Sequence, residues 1–389
     1  MYSFAQSPTD PAFVQNPYPV YDAMRAQGDV IWWEDYAMPC AVSHKAVHAL
    51  LRDRRLGRAP LTPPQIPPHL RDFYAIESHS MLELEAPRHT RLRGLVLRAF
   101  TSRRIAALAP DIDQMCHDLI DRFPSGAFDL LTAYAQEVPV RVIARLLGVP
   151  EDMTPDLLRW SHDMVAIYQA RRDRAVEDAA NTAARDFAAF LTGYIKDRRN
   201  QPADDLITHL IAAEQDGTRL STPELITTCV LLLNAGHEAT VHAIGNGVAQ
   251  LLPRGLRVTS ETTETASEEI LRYDPPLHMF TRYVYEDGDY AGASLKRGDE
   301  IALSLGASGR DPARTHDPHR FDITRKPQAH TAFGGGAHFC VGAPLARLEM
   351  QRALPILFDR CPALSLASPP QYANSYHFHG LTELRVTAG

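Results

Sequence analysis

The stretch that decides the fold of this chain reads Phe333-Gly334-Gly335-Gly336-Ala337-His338-Phe339-Cys340-Val341-Gly342-Ala343-Pro344-Leu345-Ala346-Arg347-Leu348-Glu349. Its three consecutive glycines predict a tight turn that another group can approach closely. Apolar residues recur at helical spacing from Ala343 to Phe358, and Pro344 suits the first turn of that helix. Cys340 therefore lies just before a helix start, where unpaired backbone N–H groups and the helix dipole favour a thiolate over a thiol.

The rest of the sequence predicts a mainly α fold with a minor β portion. Helical patterns dominate from Pro87 to Tyr273, whereas β-prone residues cluster at 30–42, at 280–305 and after Pro370. The chain has 389 residues, 45% of them hydrophobic, and contains no Gly/Ser-rich linker, low-complexity run or fixed-period repeat. We therefore expect a single domain spanning residues 1–389.

One predicted helix is unusually long. Ser221-Thr222-Pro223-Glu224 offers a hydroxyl cap, a proline and an acid, and the helical pattern then continues to about Leu252. At 1.5 Å per residue this helix would be roughly 45 Å long. Its middle, Leu231 to Thr240, changes abruptly from apolar to polar, so it is a candidate functional segment.

Charge and cysteine usage narrow the class of protein. The net charge of −7 gives no overall reason to expect nucleic-acid or membrane binding. The five cysteines are widely spaced and odd in number, which argues against a disulfide framework and against C-x-x-C metal sites. With no basic start followed by an apolar segment, and no apolar run approaching ~18 residues, we expect a cytoplasmic monomer.

The opening stretch resembles the haem-binding loop of the cytochrome P-450 family, Phe-Gly-x-Gly-x-His/Arg-x-Cys-x-Gly followed by a helix. Six matches in fixed register are far more specific than a lone glycine turn; the alternative is a buried structural cysteine beside a loop. The resemblance implies the family's fold, with a long central helix over a buried haem b. It also implies that Cys340 is the axial ligand of the haem iron. Around the cofactor it places Phe333, Gly334 and Gly342.

The middle of the long helix resembles the family's oxygen-binding segment, Ala/Gly-Gly-x-Asp/Glu-Thr-Thr/Ser. The resemblance implies that small Ala235 lets the helix approach the cofactor and that Glu238 is the acid of proton delivery. Ala239 departs from the pattern, because a threonine usually stands there. Thr240 is rotated by about 100° around the helix and cannot be assumed to replace it. We expect Glu238 to deliver protons with ordered water, helped by Thr240 or by a substrate hydroxyl.

The same helix contains a pattern superficially like a zinc peptidase motif. That motif needs two histidines at i and i+4 on one helix face. Here His237 and His242 are at i and i+5, about 140° apart, so one zinc ion cannot easily bind both. A hydrogen-bonded buried histidine is the favoured interpretation of His242.

Several basic residues match the family's partners of the two haem propionates, since arginine suits carboxylates best. His89 and Arg93 stand at i and i+4 and can share a helix face. Arg282 and His338 match the two other sites. The alternative for the first pair is a solvated basic helix.

A second set matches the family's structural cluster beneath the haem. Glu269 and Arg272 match Glu-x-x-Arg, and Arg320 of Pro318-His319-Arg320-Phe321 matches the later Pro-x-Arg-Phe. By itself Glu269-Arg272 could be an ordinary surface ion pair on a helix. The resemblance implies instead a buried Glu-Arg-Arg cluster that holds the cysteine loop in place.

The implied activity is that of a haem-thiolate monooxygenase, which activates O2 with two externally supplied electrons to hydroxylate or otherwise oxidise a hydrophobic small molecule. The sequence has no flavin, nicotinamide or iron–sulfur fingerprint, so we expect a separate ferredoxin or flavodoxin-type donor with its reductase. An acidic donor would dock on a basic face formed by Arg91, Arg98, Arg103, Arg104, Arg347 and Arg352. The alternatives are a peroxygenase that uses hydrogen peroxide and a non-catalytic haem-binding sensor.

Family position also suggests the substrate contacts. The side chains are mostly apolar with some histidines, so we expect a moderately large hydrophobic molecule that carries a polar handle. The expected contacts are Met81, Leu82, Leu232, Leu277, His278, Met279, His377 and Phe378.

Overall fold

Helices dominate residues 1–168, 172–215, 217–375 and 378–389, which the computed structural model describes. The mainly α fold with a minor β portion is confirmed. The α-helices are Pro11–Gln15, Tyr18–Gln27, His44–Leu50, Arg71–Glu77, Arg88–Ala99, Ser102–Ala107, Ala109–Ile120, Glu137–Leu147, Thr154–Val165, Arg174–Asn200, Leu206–Ala212, Thr222–Leu251, Thr263–Tyr273, Leu305–Gly309 and Ala343–Arg360.

The largest sheet lies beside the N-terminal helices. Its strands, in spatial order, are Ser3–Phe4, Val30–Trp33, Met38–Ala41, Glu300–Ser304, Met279–Val284 and Leu56–Gly57. The β-prone residues at 30–42 form an antiparallel hairpin, with Val30 opposite Ala41, and Cys40 pairs in parallel with Ala302. The remaining strands are Ala127–Asp129, Glu214–Gln215, Thr218–Arg219, Gly288–Tyr290, Ala293–Leu295, Ser365–Leu366, Gln371–Tyr372, Leu381–Glu383 and Arg385–Thr387.

The predicted long helix is confirmed as Thr222–Leu251, called here the central helix. The Ser221 hydroxyl accepts a hydrogen bond from the backbone N–H of Glu224, and the Glu224 carboxylate accepts one from the N–H of Ser221 at 2.9 Å. This capping box satisfies two backbone donors that would otherwise lack partners. The helix packs against Glu137–Leu147, Thr154–Val165 and Ala343–Arg360.

Two ends of the chain meet at the first helix and the last hairpin. The Gln15 side chain donates to the Tyr372 carbonyl at 2.9 Å and accepts from the Tyr372 N–H at 3.0 Å, joining positions 357 residues apart. Between this contact and the largest sheet, Phe13, Tyr21 and Trp33 form part of a separate apolar core. Among the described residues, no helix combines the length and apolar character needed to cross a membrane.

Candidate functional site

The loop before Cys340 is shaped by backbone conformations that favour glycine. Gly334 and Gly336 have positive φ angles of 69° and 66°, and a Cβ at Gly336 would collide with the Leu51 carbonyl. The loop closes on itself because the Cys340 N–H donates to the Phe333 carbonyl at 3.0 Å. The Arg347 guanidinium lies 4.5 Å from the centre of the Phe333 ring. The sulfur therefore sits on a loop whose shape is set by backbone contacts.

Cys340 differs from the other cysteines in its surroundings. It is exposed, whereas Cys40, Cys116, Cys229 and Cys361 are buried. Partial burial of the sulfur nevertheless raises the pKa of the Cys340 thiol, and the N–H groups of Gly342 and Ala343 oppose that effect. The predicted helix-start effect is thus present but outweighed by desolvation. A coordinated metal ion would deprotonate the thiol outright.

The central helix carries an open stripe at its middle. Ala235 is exposed and Leu231, Glu238 and Ala239 are half-buried, although Leu233 and Val241 on the same helix are buried. Residues 231, 235 and 239 are one turn apart and share a face. Two small side chains, Ala235 and Ala239, therefore adjoin open volume on this face, as expected where a helix approaches a flat cofactor.

Glu238 lies on this stripe among three histidines. Its carboxylate oxygens are 3.6 Å from His237 Nε2, 3.8 Å from His242 Nε2 and 3.9 Å from His162 Nδ1. Burial would raise the pKa of Glu238, but these imidazoles hold it well below its usual value. Contact with Glu238 raises the pKa of His162, which lies at the surface. His162 was missed in the sequence because nothing local marks it.

Thr240 does not belong to the open stripe. It is buried on another side of the helix, next to Glu349 of the helix Ala343–Arg360. Burial raises the pKa of Glu349 well above its usual value, and the Thr240 hydroxyl opposes this. The prediction that Thr240 helps to deliver protons at the open stripe is therefore wrong, because one residue step turns the hydroxyl about 100° away.

Two of the expected propionate partners meet beside the cysteine loop. The rings of His89 and His338 are 4.3 Å apart, and the Arg93 guanidinium donates to the Phe339 carbonyl at 2.6 Å. Burial and the neighbouring His338 lower the pKa of His89 to about 4, so it is neutral at pH 7. His338 Nε2 lies 2.9 Å from Glu85 Oε1. The structure thus brings His89, Arg93 and His338 to one place.

Arg282 is a buried cation. Only 4% of the residue is exposed, and the one hydrogen bond that its guanidinium donates among the described residues runs to the Thr281 carbonyl at 2.8 Å. Burial and repulsion from Arg58 lower the pKa of Arg282 to about 10. A buried guanidinium without a bonded carboxylate fits a cofactor that brings carboxylates of its own.

The buried cluster under the loop forms with a different third arginine. Arg272 Nε and Nη2 donate to the Glu269 carboxylate at 2.7 and 2.8 Å, as predicted. The prediction that Arg320 is the second arginine of the Glu-Arg-Arg cluster is wrong, because its side chain is 70% exposed and lies 3.6 Å from Asp322. The N–H of Asp322 binds Glu269 instead, and Arg325 lies 3.4 Å from that carboxylate.

Glu268, the neighbour of Glu269, was also missed. It accepts hydrogen bonds from Arg347 at 2.6 and 3.0 Å and lies 3.2 Å from His330 Nε2. Burial opposes ionisation, but these partners lower the pKa of Glu268 to about 2. This contact fastens the helix Thr263–Tyr273 to the helix that follows Cys340. The only sequence signal was a second glutamate beside the recognised one.

The expected substrate contacts divide into two groups. Leu277 pairs with Phe378, whose ring is 6.0 Å from that of His242. The prediction that His278 and Met279 contact the substrate is wrong. His278 is fully buried against Tyr21, and Met279 packs in the apolar core beside the N-terminal helices. Alternation along an extended chain explains this difference, because successive side chains point to opposite sides. Met81 and Leu232 are buried, Leu82 is partly exposed, and His377 lies outside the described residues.

The expected basic face is largely neutralised. Arg347 pairs with Glu268, Arg352 with Asp113, Arg91 with Glu224 and Arg104 with Asp204. Arg98 and Arg103 remain as exposed cations without an ion pair among the described residues. Exposed Phe339 lies next to Cys340. This surface thus carries fewer unpaired positive charges than predicted.

Comparison with known proteins gives consistent matches. The family model described as cytochrome P450 matches residues 261–371. Cytochrome P450 monooxygenase PikC of Streptomyces venezuelae is 36% identical over 381 residues, covering 92% of this chain and 87% of that protein. The biotin biosynthesis cytochrome P450 of Bacillus subtilis strain 168 is 34% identical over 395 residues, covering 99% of both.

A solved structure extends the likeness to three dimensions. P450BioI, in complex with acyl carrier protein ligated to hexadec-9Z-enoic acid, matches with a TM-score of 0.91 at 33% identity, covering 97% of this chain and 99% of that chain. The loop around Cys340 and the buried Glu269-Arg272 pair lie within the residues that the family model matches. The chain therefore belongs to the cytochrome P450 family and is a monooxygenase of that family.

Proposed function

We propose that residues 1–389 form a single domain that binds haem b through Cys340 and uses O2 to oxidise a hydrophobic small molecule. Two electrons come from a separate ferredoxin or flavodoxin-type donor with its reductase. The observation that carries the proposal is the presence together of an exposed cysteine on a preshaped loop and of Arg282, a buried cation that has no carboxylate partner among the described residues. The iron of a haem would bind the cysteine, Cys340, and a haem propionate would pair with Arg282.

Different residues of the chain would bind the iron and the propionates of the cofactor. The Cys340 sulfur would be the iron ligand, and Phe333, Gly334 and Gly342 set the loop around it. Arg93 and Arg282, with neutral His89 and with His338, would bind the propionates by charge-assisted and neutral hydrogen bonds. When bound, the haem supplies oxygen activation, and the thiolate donates electron density that favours O–O cleavage.

Proton handling falls to Glu238, because Ala239 has no hydroxyl. The Glu238 carboxylate is ionised at pH 7 and would order the water that carries protons in from the surface, where His162 lies 3.9 Å away. Ala235 and Ala239 leave room on the open stripe for ordered water or for a hydroxyl of the substrate. Glu238 is thus the acidic side chain on the open stripe that would accept hydrogen bonds from that water.

The substrate class follows from the apolar residues around the open stripe. Leu232, Leu277 and Phe378 suit a hydrophobic molecule, and His242 beside Phe378 offers a polar contact. The P450BioI structure contains a carrier-bound hexadecenoic acid, so carrier-bound acyl chains belong in the set of candidate substrates.

We propose a monomer that meets its electron donor at Arg98, Arg103 and Phe339.

The test uses the purified holoenzyme. We expect a ferrous–CO Soret band at the thiolate position. A panel of terpenoids, steroids, fatty acids and aromatic acids should contain at least one ligand that causes a low-to-high-spin shift. That ligand should be converted to product with O2, NADH and a donor system. Product with hydrogen peroxide but none with O2, NADH and a donor system would identify a peroxygenase. A thiolate band with no spin shift and no product across the panel would identify a haem-binding sensor. Either result overturns the monooxygenase proposal.

A further inference from the structure

His237 stands directly before Glu238 in the central helix and has no role in the proposed function. Only 3% of the residue is exposed. Its Nε2 atom is 3.6 Å from Glu238 Oε1, and its Nδ1 atom is 2.8 Å from the Leu233 carbonyl oxygen. Both nitrogens of this buried ring therefore have an oxygen atom close by.

The Leu233 carbonyl fixes the position of one hydrogen on the ring. A carbonyl oxygen only accepts hydrogen bonds, so His237 Nδ1 carries a hydrogen and donates it. In a neutral imidazole the other nitrogen then has a lone pair, and here that lone pair would face the Glu238 carboxylate. Such atoms repel each other strongly in a buried site, where the dielectric constant is low. A second hydrogen, on Nε2, turns the repulsion into an ion pair.

The other two imidazoles near Glu238 are not restricted in this way. His242 Nε2 lies 3.8 Å from Glu238 Oε2, but its Nδ1 atom has no hydrogen-bond partner among the described residues. Neutral His242 can therefore place its hydrogen on Nε2 and face the carboxylate without becoming charged. The His162 side chain is 78% exposed, so solvent weakens its interaction with Glu238. His237 is the imidazole whose geometry requires a charge beside Glu238.

The surroundings of His237 provide one negative partner. A buried imidazolium needs such a partner, and Glu238 is the acidic group that pairs with it among the described residues. The helix Glu137–Leu147 presents the apolar side chain of Ile143 at Gly236. The titratable groups that adjoin Glu238 and its imidazoles from the helix Thr154–Val165, the central helix and the last hairpin are His162, Asp163, His242 and His379.

We propose that His237 is a positioning residue that acts through Glu238. Its imidazolium orients the carboxylate on the open stripe and carries the next proton for it. This inference rests on the proposed function, in which Glu238 handles protons for oxygen activation.

The proton step is balanced within the pair. The hydrogen on His237 Nε2 moves to Glu238 Oε1, and the carboxyl group gives a proton to ordered water on the open stripe. His237 keeps its hydrogen on Nδ1 and becomes neutral, while Glu238 returns to the carboxylate. A proton that enters from solvent past His162 restores the imidazolium, and no electrons move in this step.

The first test measures the charge of His237 without a substrate. Holoenzyme with isotope-labelled histidine is studied by nitrogen NMR in the diamagnetic ferrous–CO form, and the His237 signals are assigned by their loss in His237→Asn. We expect both ring nitrogens to be protonated at pH 7 in the wild type. In Glu238→Gln the ring should be neutral at pH 7, with its hydrogen on Nδ1. A neutral His237 ring in the wild type overturns the proposal.

The second test separates the two ring nitrogens by substitution. His237→Asn keeps an N–H near the position of Nδ1 for the Leu233 carbonyl, whereas His237→Gln places an N–H near Nε2 that cannot be released as a proton. Both variants should lower product formed per NADH consumed about threefold or more, with the Kd of the spin-shifting ligand changed less than about twofold. Neither should cause a further loss in a Glu238→Gln background, because His237 acts through Glu238.

The control is His316→Gln, which should keep wild-type coupling because the His316 side chain is 93% exposed. Wild-type coupling in His237→Gln would show that a neutral donor is sufficient, and it would overturn the proposal. A full additional loss in the double variants would overturn it too. If the wild type forms no product, the proposed function fails, and the NMR measurement still decides the charge of His237. If His237→Asn does not bind haem, His237→Gln supplies the assignment.

Discussion

Replacing Arg282 with methionine should have opposite effects on the protein with and without haem. The guanidinium is buried, and its one hydrogen bond among the described residues is to a backbone carbonyl. Without a carboxylate partner this charge destabilises the fold. With a haem propionate beside it, the same charge stabilises the bound cofactor. Met has a similar length and no charge, so Arg282→Met separates the two effects.

The size of the first effect follows from the pKa. Burial, with repulsion from Arg58, lowers the pKa of Arg282 from its usual 12.5 to about 10. Because each pKa unit corresponds to 1.36 kcal/mol, the penalty for the buried charge is about 3 kcal/mol. Since pH 7 lies below both the folded and the unfolded value, the full penalty applies there. Haem-free Arg282→Met should therefore be more stable by up to about 3 kcal/mol.

The second effect follows from the hydrogen bond to the propionate. A hydrogen bond to a charged group contributes about 1.5–3 kcal/mol, which corresponds to haem loss about 10–150 times faster in Arg282→Met. Haem transfer to excess apomyoglobin, followed by the Soret band, measures this rate. Urea unfolding of the haem-free protein, followed by tryptophan fluorescence, measures stability. The exposed Arg297→Met is the matched control. An unchanged rate of haem loss would refute the assignment of Arg282.

Three further predictions concern the oxygen side and the cysteine side. Ala239→Thr should raise product formed per NADH consumed, because it places a hydroxyl on the open stripe, and Glu238→Gln should lower it about tenfold or more. Glu268→Gln should cost about 3 kcal/mol of stability in urea unfolding at pH 7, because the pKa of Glu268 falls from 4.5 to about 2 on folding. Arg325→Met should cost about 1–3 kcal/mol in thermal unfolding, and Arg320→Met less than about 0.5.

Each of these has a clear contrary result. Unchanged coupling in Glu238→Gln would remove Glu238 from proton delivery. The folded pKa of Glu268 lies below the unfolded one, so its stabilisation is present above pH 4.5 and is lost as the pH falls toward 2. A difference between wild type and Glu268→Gln that stays constant through that range would contradict the ion pair. Equal losses in Arg325→Met and Arg320→Met would contradict the assignment of the third arginine.

Features determined by neighbouring residues were predictable from the sequence. The cap of the central helix needs only Ser221 and Glu224, three positions apart; the hydroxyl cap forms as expected, and the Glu224 carboxylate adds a reciprocal bond. The cysteine loop depends on glycines that adopt positive φ within a few residues of Cys340. Glu269 and Arg272 stand one helical turn apart and meet without help from the rest of the chain. In each case the partner lies within one turn or one loop.

Features determined by the path of the chain were not predictable. Whether Arg320 or Arg325 reaches Glu269 depends on the turn at Asp317, where φ is positive, and on the N–H of Asp322 that binds Glu269. The side to which His278 points depends on the phase of the extended segment after Pro276. A shift by one residue would exchange it with Leu277. Ion pairs that join distant helices, such as Arg347 with Glu268, leave no mark in local sequence.

The reciprocal hydrogen bonds between Gln15 and Tyr372 have a consequence for folding during synthesis. Positions 357 residues apart cannot meet until the ribosome has released nearly all of the segment described here. The first helix must therefore wait, with its apolar side unprotected, for the last hairpin. Contacts of such long separation form slowly. We expect nascent chains to depend on chaperones during that interval, and protease sensitivity near the first helix to fall only after the final hairpin has docked.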